Sequence, residues 1–236
     1  MKKYILVIFL CAGHMVLAQG SKKLFSNTEN LLKAIIPNSN PDSWTVIRNI
    51  DGKNTVIRPE NPPAYENSAT GFVIDQREHG YYYIAYTKGG QTRYITDAEG
   101  LRTFIGDIDN PQEAALAAVA KGYVIDFEYQ DVAANYTDNG ASYTVHAGKV
   151  MSLDCPFEIN HYALNVDKKT GAVTGETDMG KYFELYGKEC ENNPHYSALQ
   201  KQMEEARLKA EEQKKIQKEM TDKMERRIRK IQSKRR

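Results

Sequence analysis

Residues Tyr81–Thr96 read YYYIAYTKGGQTRYIT, and this stretch decides the fold. Tyrosine, isoleucine and threonine are strong strand formers, and they lie on both sides of Lys88-Gly89-Gly90-Gln91. A Gly-Gly pair between two such runs is the turn of a β-hairpin, because both central residues need a positive φ. The chain is therefore expected to build antiparallel sheet. Trp44–Arg48 and Thr55–Arg58 repeat the pattern around Asp51-Gly52. Gly71–Asp75 predicts a further strand. Tyr123–Val132 and Ser142–Val150 are expected to pair around Thr137–Gly140, and Glu158–Asp167 with Ala172–Glu176 around Lys168–Gly171. Tyr182–Tyr186 offers a last strand.

Three helix starts interrupt these strands. Ser26 with Glu29 three residues on is a capping box, with Phe25 as a staple onto Leu31, Leu32, Ile35 and Ile36, and Pro37 as the stop. Thr96-Asp97-Ala98-Glu99 is a second box, leading to Leu101, Phe104 and Ile105 and ending at Gly106. Asn110-Pro111-Gln112-Glu113 is the strongest start: a capping Asn, then Pro at the first helical position. Gly122 follows the alanine-rich run as the expected left-handed stop. The fold class is α+β: mainly antiparallel hairpins, an early helix and a central helical pair, then a long charged C-terminal helix.

The first eighteen residues stand apart. Lys2-Lys3 precede the apolar run Tyr4–Leu10, and Val16-Leu17-Ala18 supply residues a signal peptidase accepts. The apolar segment is 15 residues long and interrupted by His14, whereas a spanning helix needs about 20. Cys11 lacks the small preceding residues of a lipobox and reads as part of the apolar run. Cleavage near Ala18 predicts an exported protein, periplasmic or extracellular, with a body over 19–193 and a tail over 194–236.

Net charge is +1, but it is unevenly divided. Ser197–Arg236 holds 14 Lys+Arg against 7 Asp+Glu, and with the leader at +2 the body is left at −8. The tail has no internal Gly or Pro and is rich in strong helix formers. Leu199, Met203, Ala206 and Ala210 begin a heptad seam that Gln213, Gln217 and Arg227 spoil, while Ile216, Met220, Met224 and Ile228 run at spacing four. So thin an apolar face predicts a solvated, fraying helix or a partly disordered extension, the alternative being an interaction helix or coiled coil. Arg226, Arg227, Arg229, Lys230, Lys234, Arg235 and Arg236 form a terminal basic cluster suited to polyanions. Base-reading motifs are absent and the chain is read as exported, which points to an anionic envelope or protein partner rather than nucleic acid.

Removing the leader discards Cys11 and leaves Cys155 and Cys190. An even count in an exported chain favours a disulfide. It would close 34 intervening residues, worth about 3–4 kcal/mol by chain entropy. The alternative is a thiol nucleophile, Cys155 with His161 or His146. No Walker, G-x-S-x-G, G-x-G-x-x-G, H-E-x-x-H or C-x-x-C pattern occurs. Asp107–Asn110 resembles part of a calcium loop without its glycine and distal glutamate. His79, His146, His161 and His195 show no ligand spacing, so no metal or other cofactor is expected. Tyr81, Tyr82, Tyr83, Tyr86 and Tyr94 are either a binding platform or cross-strand packing. The sequence thus predicts an exported, bacterial-type binding or scaffolding protein of the cell envelope without catalysis, the alternative being a secreted hydrolase built on Cys155.

Overall fold

The structure, a computed structural model, describes residues 20–58, 64–187, 190 and 193–233. The leader, the prolines at 59, 62 and 63, and Lys234, Arg235 and Arg236 lie outside the described residues. The first half runs β1 (Lys23–Leu24), α1 (Thr28–Lys33), β2 (Ser43–Ile50), β3 (Lys53–Arg58), β4 (Tyr81–Lys88), β5 (Gln91–Ile95), α2 (Ala98–Ile105) and α3 (Pro111–Ala120). The second half runs α4 (Gln130–Ala133), β6 (Ala134–Asp138), β7 (Ser142–Ser152), β8 (Phe157–Asp167), β9 (Val173–Leu185) and α5 (Tyr196–Ser233). The strands form two antiparallel sheets, ordered β3-β2-β4-β5 and β1-β6-β7-β8-β9. The α+β class, the early helix, the central pair and the long last helix are all present.

The chain falls into two units. The first comprises 20–151 with 159–183, and the second 152–158 with the residues from 184 on.

In the first unit the Gly-Gly hairpin forms as the sequence dictates. Lys88 pairs with Gln91, and Gly89 and Gly90 take φ of 58° and 75°. Alternation sends β4 residues to both faces, and both faces are covered. Tyr82 and Ile84 join Val46 and Ile95 in the main core, while Tyr83 and Ala85 pack with Ile47 under Tyr65 and Tyr81. Tyr86 lies 5.4 Å from Phe104, and the Tyr94 hydroxyl accepts the Glu66 N–H. The tyrosines of this hairpin are therefore mostly packing residues.

α3 explains how the sheets share one core. Every residue from Glu113 to Val119 is buried, so the helix is enclosed on all sides. Alanine permits this, since small side chains let neighbouring elements approach closely. One apolar cluster joins Leu116 of α3 to Leu31 and Leu32 of α1, Leu101 and Phe104 of α2, Val46 and Ile84 of one sheet, and Val145 and Leu164 of the other.

The leading N–H groups of the helix find their partners within the chain. The Asn110 side chain accepts from the Glu113 N–H at 3.0 Å and donates to the Ala34 carbonyl at 2.9 Å. The Glu113 carboxylate accepts the Ile36 N–H at 2.6 Å and the Asp109 N–H at 2.7 Å. Burial raises the Glu113 pKa, and those two N–H groups pull it back.

Several local expectations are corrected. The cap of α1 is Asn27, which accepts from the Asn30 N–H, while Ser26 takes the Asn30 side chain instead. Asp97, not Thr96, caps α2. Gly71–Asp75 makes one bridge, Phe72 to Tyr82, rather than a strand. Within Tyr123–Val132 only Val124 pairs with β7, and β6 supplies the neighbouring strand. There the Asp126 side chain accepts from the Glu128 N–H and starts a 3-10 turn over Phe127–Tyr129. This local bond competes with the sheet ladder and overrides the strand preference of Phe127 and Tyr129. Tyr182–Tyr186 is no separate strand, since β9 is continuous for 13 residues through Gly180 at φ 93°.

Replacing Glu113 with Ala removes the acceptor of two part-buried N–H groups and should cost about 1–3 kcal/mol in urea unfolding. Glu113→Gln keeps one acceptor and should lose about half of that, so equal losses in the two variants would contradict the dual-acceptor role.

Candidate functional site

The second unit carries the sequence-predicted residues. Cys155 and Cys190 are joined as a disulfide with Cα atoms 5.4 Å apart. A bridged sulfur has no thiolate to offer. α5 runs for 38 residues, about 57 Å at 1.5 Å per residue. Arg226, Arg227, Arg229 and Lys230 lie on it, with Arg229 3.5 Å from the Glu225 carboxylate one turn back. Its apolar residues are not covered: Ile216 and Ile228 are 52% exposed, and Met220 and Met224 are 65% and 64% exposed. Among the described residues, no helix is long and apolar enough to cross a membrane.

Within the first unit, two polar clusters lie on or beside the five-stranded sheet. The first is ionic. Arg77 binds Asp75 through Nε and Nη2, at 3.1 and 2.7 Å, and reaches Asp126 at 3.0 Å. The Tyr182 hydroxyl donates to the other Asp126 oxygen at 2.8 Å. Asp126 is completely buried. The bonds to Asp75 and then Asp126 hold the Arg77 guanidinium even more firmly protonated than usual, against the cost of burial. Burial, followed by Asp126, raises the Tyr182 pKa. Every charged group here is engaged, so the cluster acts as a clamp between the Asp75 loop, the 3-10 turn and β9. Gly148 is needed beside it, because a Cβ there would stand 2.5 Å from the Tyr182 hydroxyl.

The second cluster is a histidine pair. His146 on β7 and His161 on β8 hydrogen-bond ring to ring, Nδ1 to Nε2 at 2.8 Å, with centroids 5.0 Å apart. Both rings are half-buried. His146 has its pKa lowered by burial, then by His161 and Lys22; His161 has its pKa lowered by burial and Lys22, with Asp178 opposing. Lys22 is itself hydrogen-bonded to the Asp131 carbonyl at 2.5 Å. No motif announces this pair. Its one signal is register, since a β7–β8 hairpin turning near Leu153-Asp154 places 146 opposite 161.

A groove of about 630 Å³ lies between α2, α3 and the turn after β8, with Thr103, Asp107, Lys121 and Lys169 on its walls. Arg102 faces it but is already committed, donating to the carbonyls of Gly171, Gly106 and Thr170. Asn110, part of the calcium-like fragment, is likewise committed to capping α3.

No protein-family model, curated protein or solved structure matches the chain.

Two measurements follow from this geometry. Thiol titration of the denatured, non-reduced chain from Gln19 onward should find no free thiol, and two after reduction; two free thiols without reduction would return Cys155 to consideration as a nucleophile. The histidine pair makes stability depend on pH. Its folded-state pKa values lie below the ordinary 6.5, so the folded protein binds fewer protons than the unfolded chain. The stability contributed by neutral rings is full above that value and is lost as pH falls through it. Between about pH 7.5 and 5.5 the urea midpoint should fall more steeply for the wild type than for His146→Asn/His161→Asn.

Proposed function

We propose that this is an exported protein of the cell envelope that works by binding rather than catalysis, and that the C-terminal half of α5 holds it to an anionic lipid surface. The observation that carries the reading is the uncovered apolar stripe beside a basic cluster. At about 100° per residue, spacing four advances only about 40° per step, so Ile216, Met220, Met224 and Ile228 share a sector of about 120°. Lys218, Arg226 and Arg229 fall on the opposite side, together with Glu219, Asp222 and Glu225. That face is charged with both signs, and the basic excess comes from Lys223, Arg227 and Lys230, which lie within or beside the apolar sector. A modest apolar face flanked by basic side chains, with low overall hydrophobicity, suits a helix lying in a membrane interface.

Arg227 decides between this partner and a second helix. It lies within the apolar sector, where it would interrupt a coiled-coil seam. At a lipid surface the same side chain can lay its methylenes along the apolar face and lift its guanidinium to the head groups. Export rests on the leader, and the absence of catalysis rests on the oxidised cysteines together with the missing catalytic motifs.

The chain from Gln19 onward should co-sediment with phosphatidylglycerol-containing vesicles at about 50 mM salt, should not do so with neutral phosphatidylcholine, and should release at about 500 mM. Each basic residue near such a surface contributes about 1 kcal/mol, so replacing Arg226, Arg227, Arg229 and Lys230 with Gln should weaken binding at least tenfold. Unchanged binding by that variant, or equal binding to neutral vesicles, would remove the lipid as the partner.

A further inference from the structure

Among the described residues of the first unit, the histidine pair is a cluster of neutral ligating groups whose polar partners are chiefly each other. Among the described residues, no three His, Cys, Asp or Glu side chains converge as a metal cage. A pair of imidazoles on adjacent antiparallel strands is nevertheless a chelate, provided both rings are neutral and can turn one nitrogen each to a common point. Here Nδ1 of His146 and Nε2 of His161 already face each other across 2.8 Å. One ring donates its N–H to the other, so a metal binding beside this gap asks the donor ring to shift its proton to its second nitrogen and both rings to turn their lone pairs off the N···N line toward the metal. No net proton is released when both rings start neutral.

Their present separation lies nearer one coordination geometry than another. With metal–nitrogen bonds of about 2.0 Å, two nitrogens 2.8 Å apart subtend about 90°. That is the cis edge of a tetragonal or square-planar ion. A tetrahedral zinc needs its nitrogens about 3.3 Å apart. Tetragonal N,O coordination belongs to Cu(II) and Ni(II), and the Irving–Williams order places Cu(II) first. We propose that His146 and His161 form a two-histidine Cu(II) site on the face of the five-stranded sheet, with water completing the coordination.

The surroundings agree in part. The low pKa values of both rings keep them neutral near pH 7, as ligands must be. Asp178, on β9, raises the pKa of His161 and so places a negative charge on the site. Lys22 opposes the cation from the N-terminal segment, although Asp131 holds its ammonium 3.5 Å away as an ion pair. Acid should expel the metal, because protonation removes the lone pairs.

The test is Cu(II) titration of the folded, oxidised chain from Gln19 onward at pH 7.5, read by electron paramagnetic resonance. The expected spectrum is tetragonal, with coupling to two imidazole nitrogens and one equivalent bound. His79→Asn/His195→Asn removes the other two histidines of this chain and should leave that signal unchanged. His161→Asn, checked for folding by circular dichroism, should weaken binding at least tenfold and leave coupling to one imidazole at most. His146→Asn should do the same, which guards against misfolding of either variant alone. Loss of the signal in the His79/His195 variant, its survival in both single variants, or tighter binding of Zn(II) than of Cu(II) would each overturn the proposal.

Discussion

A fully buried carboxylate must be met by hydrogen-bond donors, and this constraint at Glu113 organises the start of α3 and its contact with α1. The four leading N–H groups of any helix lack intrahelical partners. At α3 the leading residues are half-buried while the Glu113 side chain is fully buried, and the cap comes from the chain itself. Asn110 and Glu113 supply it, and in doing so they also bind the carbonyl of Ala34 and the N–H of Ile36 just past α1. One buried carboxylate thus joins two helices that the sequence separates by more than seventy residues. The negative charge also sits at the positive end of the α3 dipole, which offsets part of its desolvation. The alanines complete the arrangement, since larger residues at Ala114, Ala115, Ala117 or Ala118 would separate the sheets that share this core.

Asp126 plays a comparable part on the five-stranded sheet. It is completely buried, yet it accepts from the Glu128 N–H, from Arg77 and from Tyr182. A carboxylate with so many donors is a rigid node, and removing any single partner would leave charge unsatisfied in a medium that solvates it poorly. The same node favours glycine at 148, because a Cβ there would stand 2.5 Å from the Tyr182 hydroxyl that Asp126 holds in place.

These nodes separate what the sequence reveals from what it conceals. The Gly-Gly hairpin, the Asn110-Pro111 start, the Gly122 stop and the Thr137–Gly140 turn were legible because each is a local signal enforced by local sterics. Phe127–Tyr129 was not, since its aromatic residues favour a strand and only the Asp126 side chain diverts them. The two shifted caps have the same origin: neighbouring Ser26 and Asn27, or Thr96 and Asp97, are all competent caps, and tertiary placement selects between them. The His146–His161 contact depends on strand register, which no residue type encodes. The tail, in contrast, has few long-range contacts to hide, so its helix and its stripe are visible directly from composition and spacing.

The division of charge bears on how such a chain would sit at an envelope. A body at −8 and a tail at +7 respond oppositely to an anionic surface. Both effects are screened over about 10 Å at ordinary salt, and α5 is several times longer than that. Attraction at the basic C-terminal residues of α5 is therefore set by the charges nearest to them, Glu219, Asp222 and Glu225 included, rather than by the total charge of the chain. The regular run of Glu–Lys pairs supports the helix along its own length without requiring a docked partner.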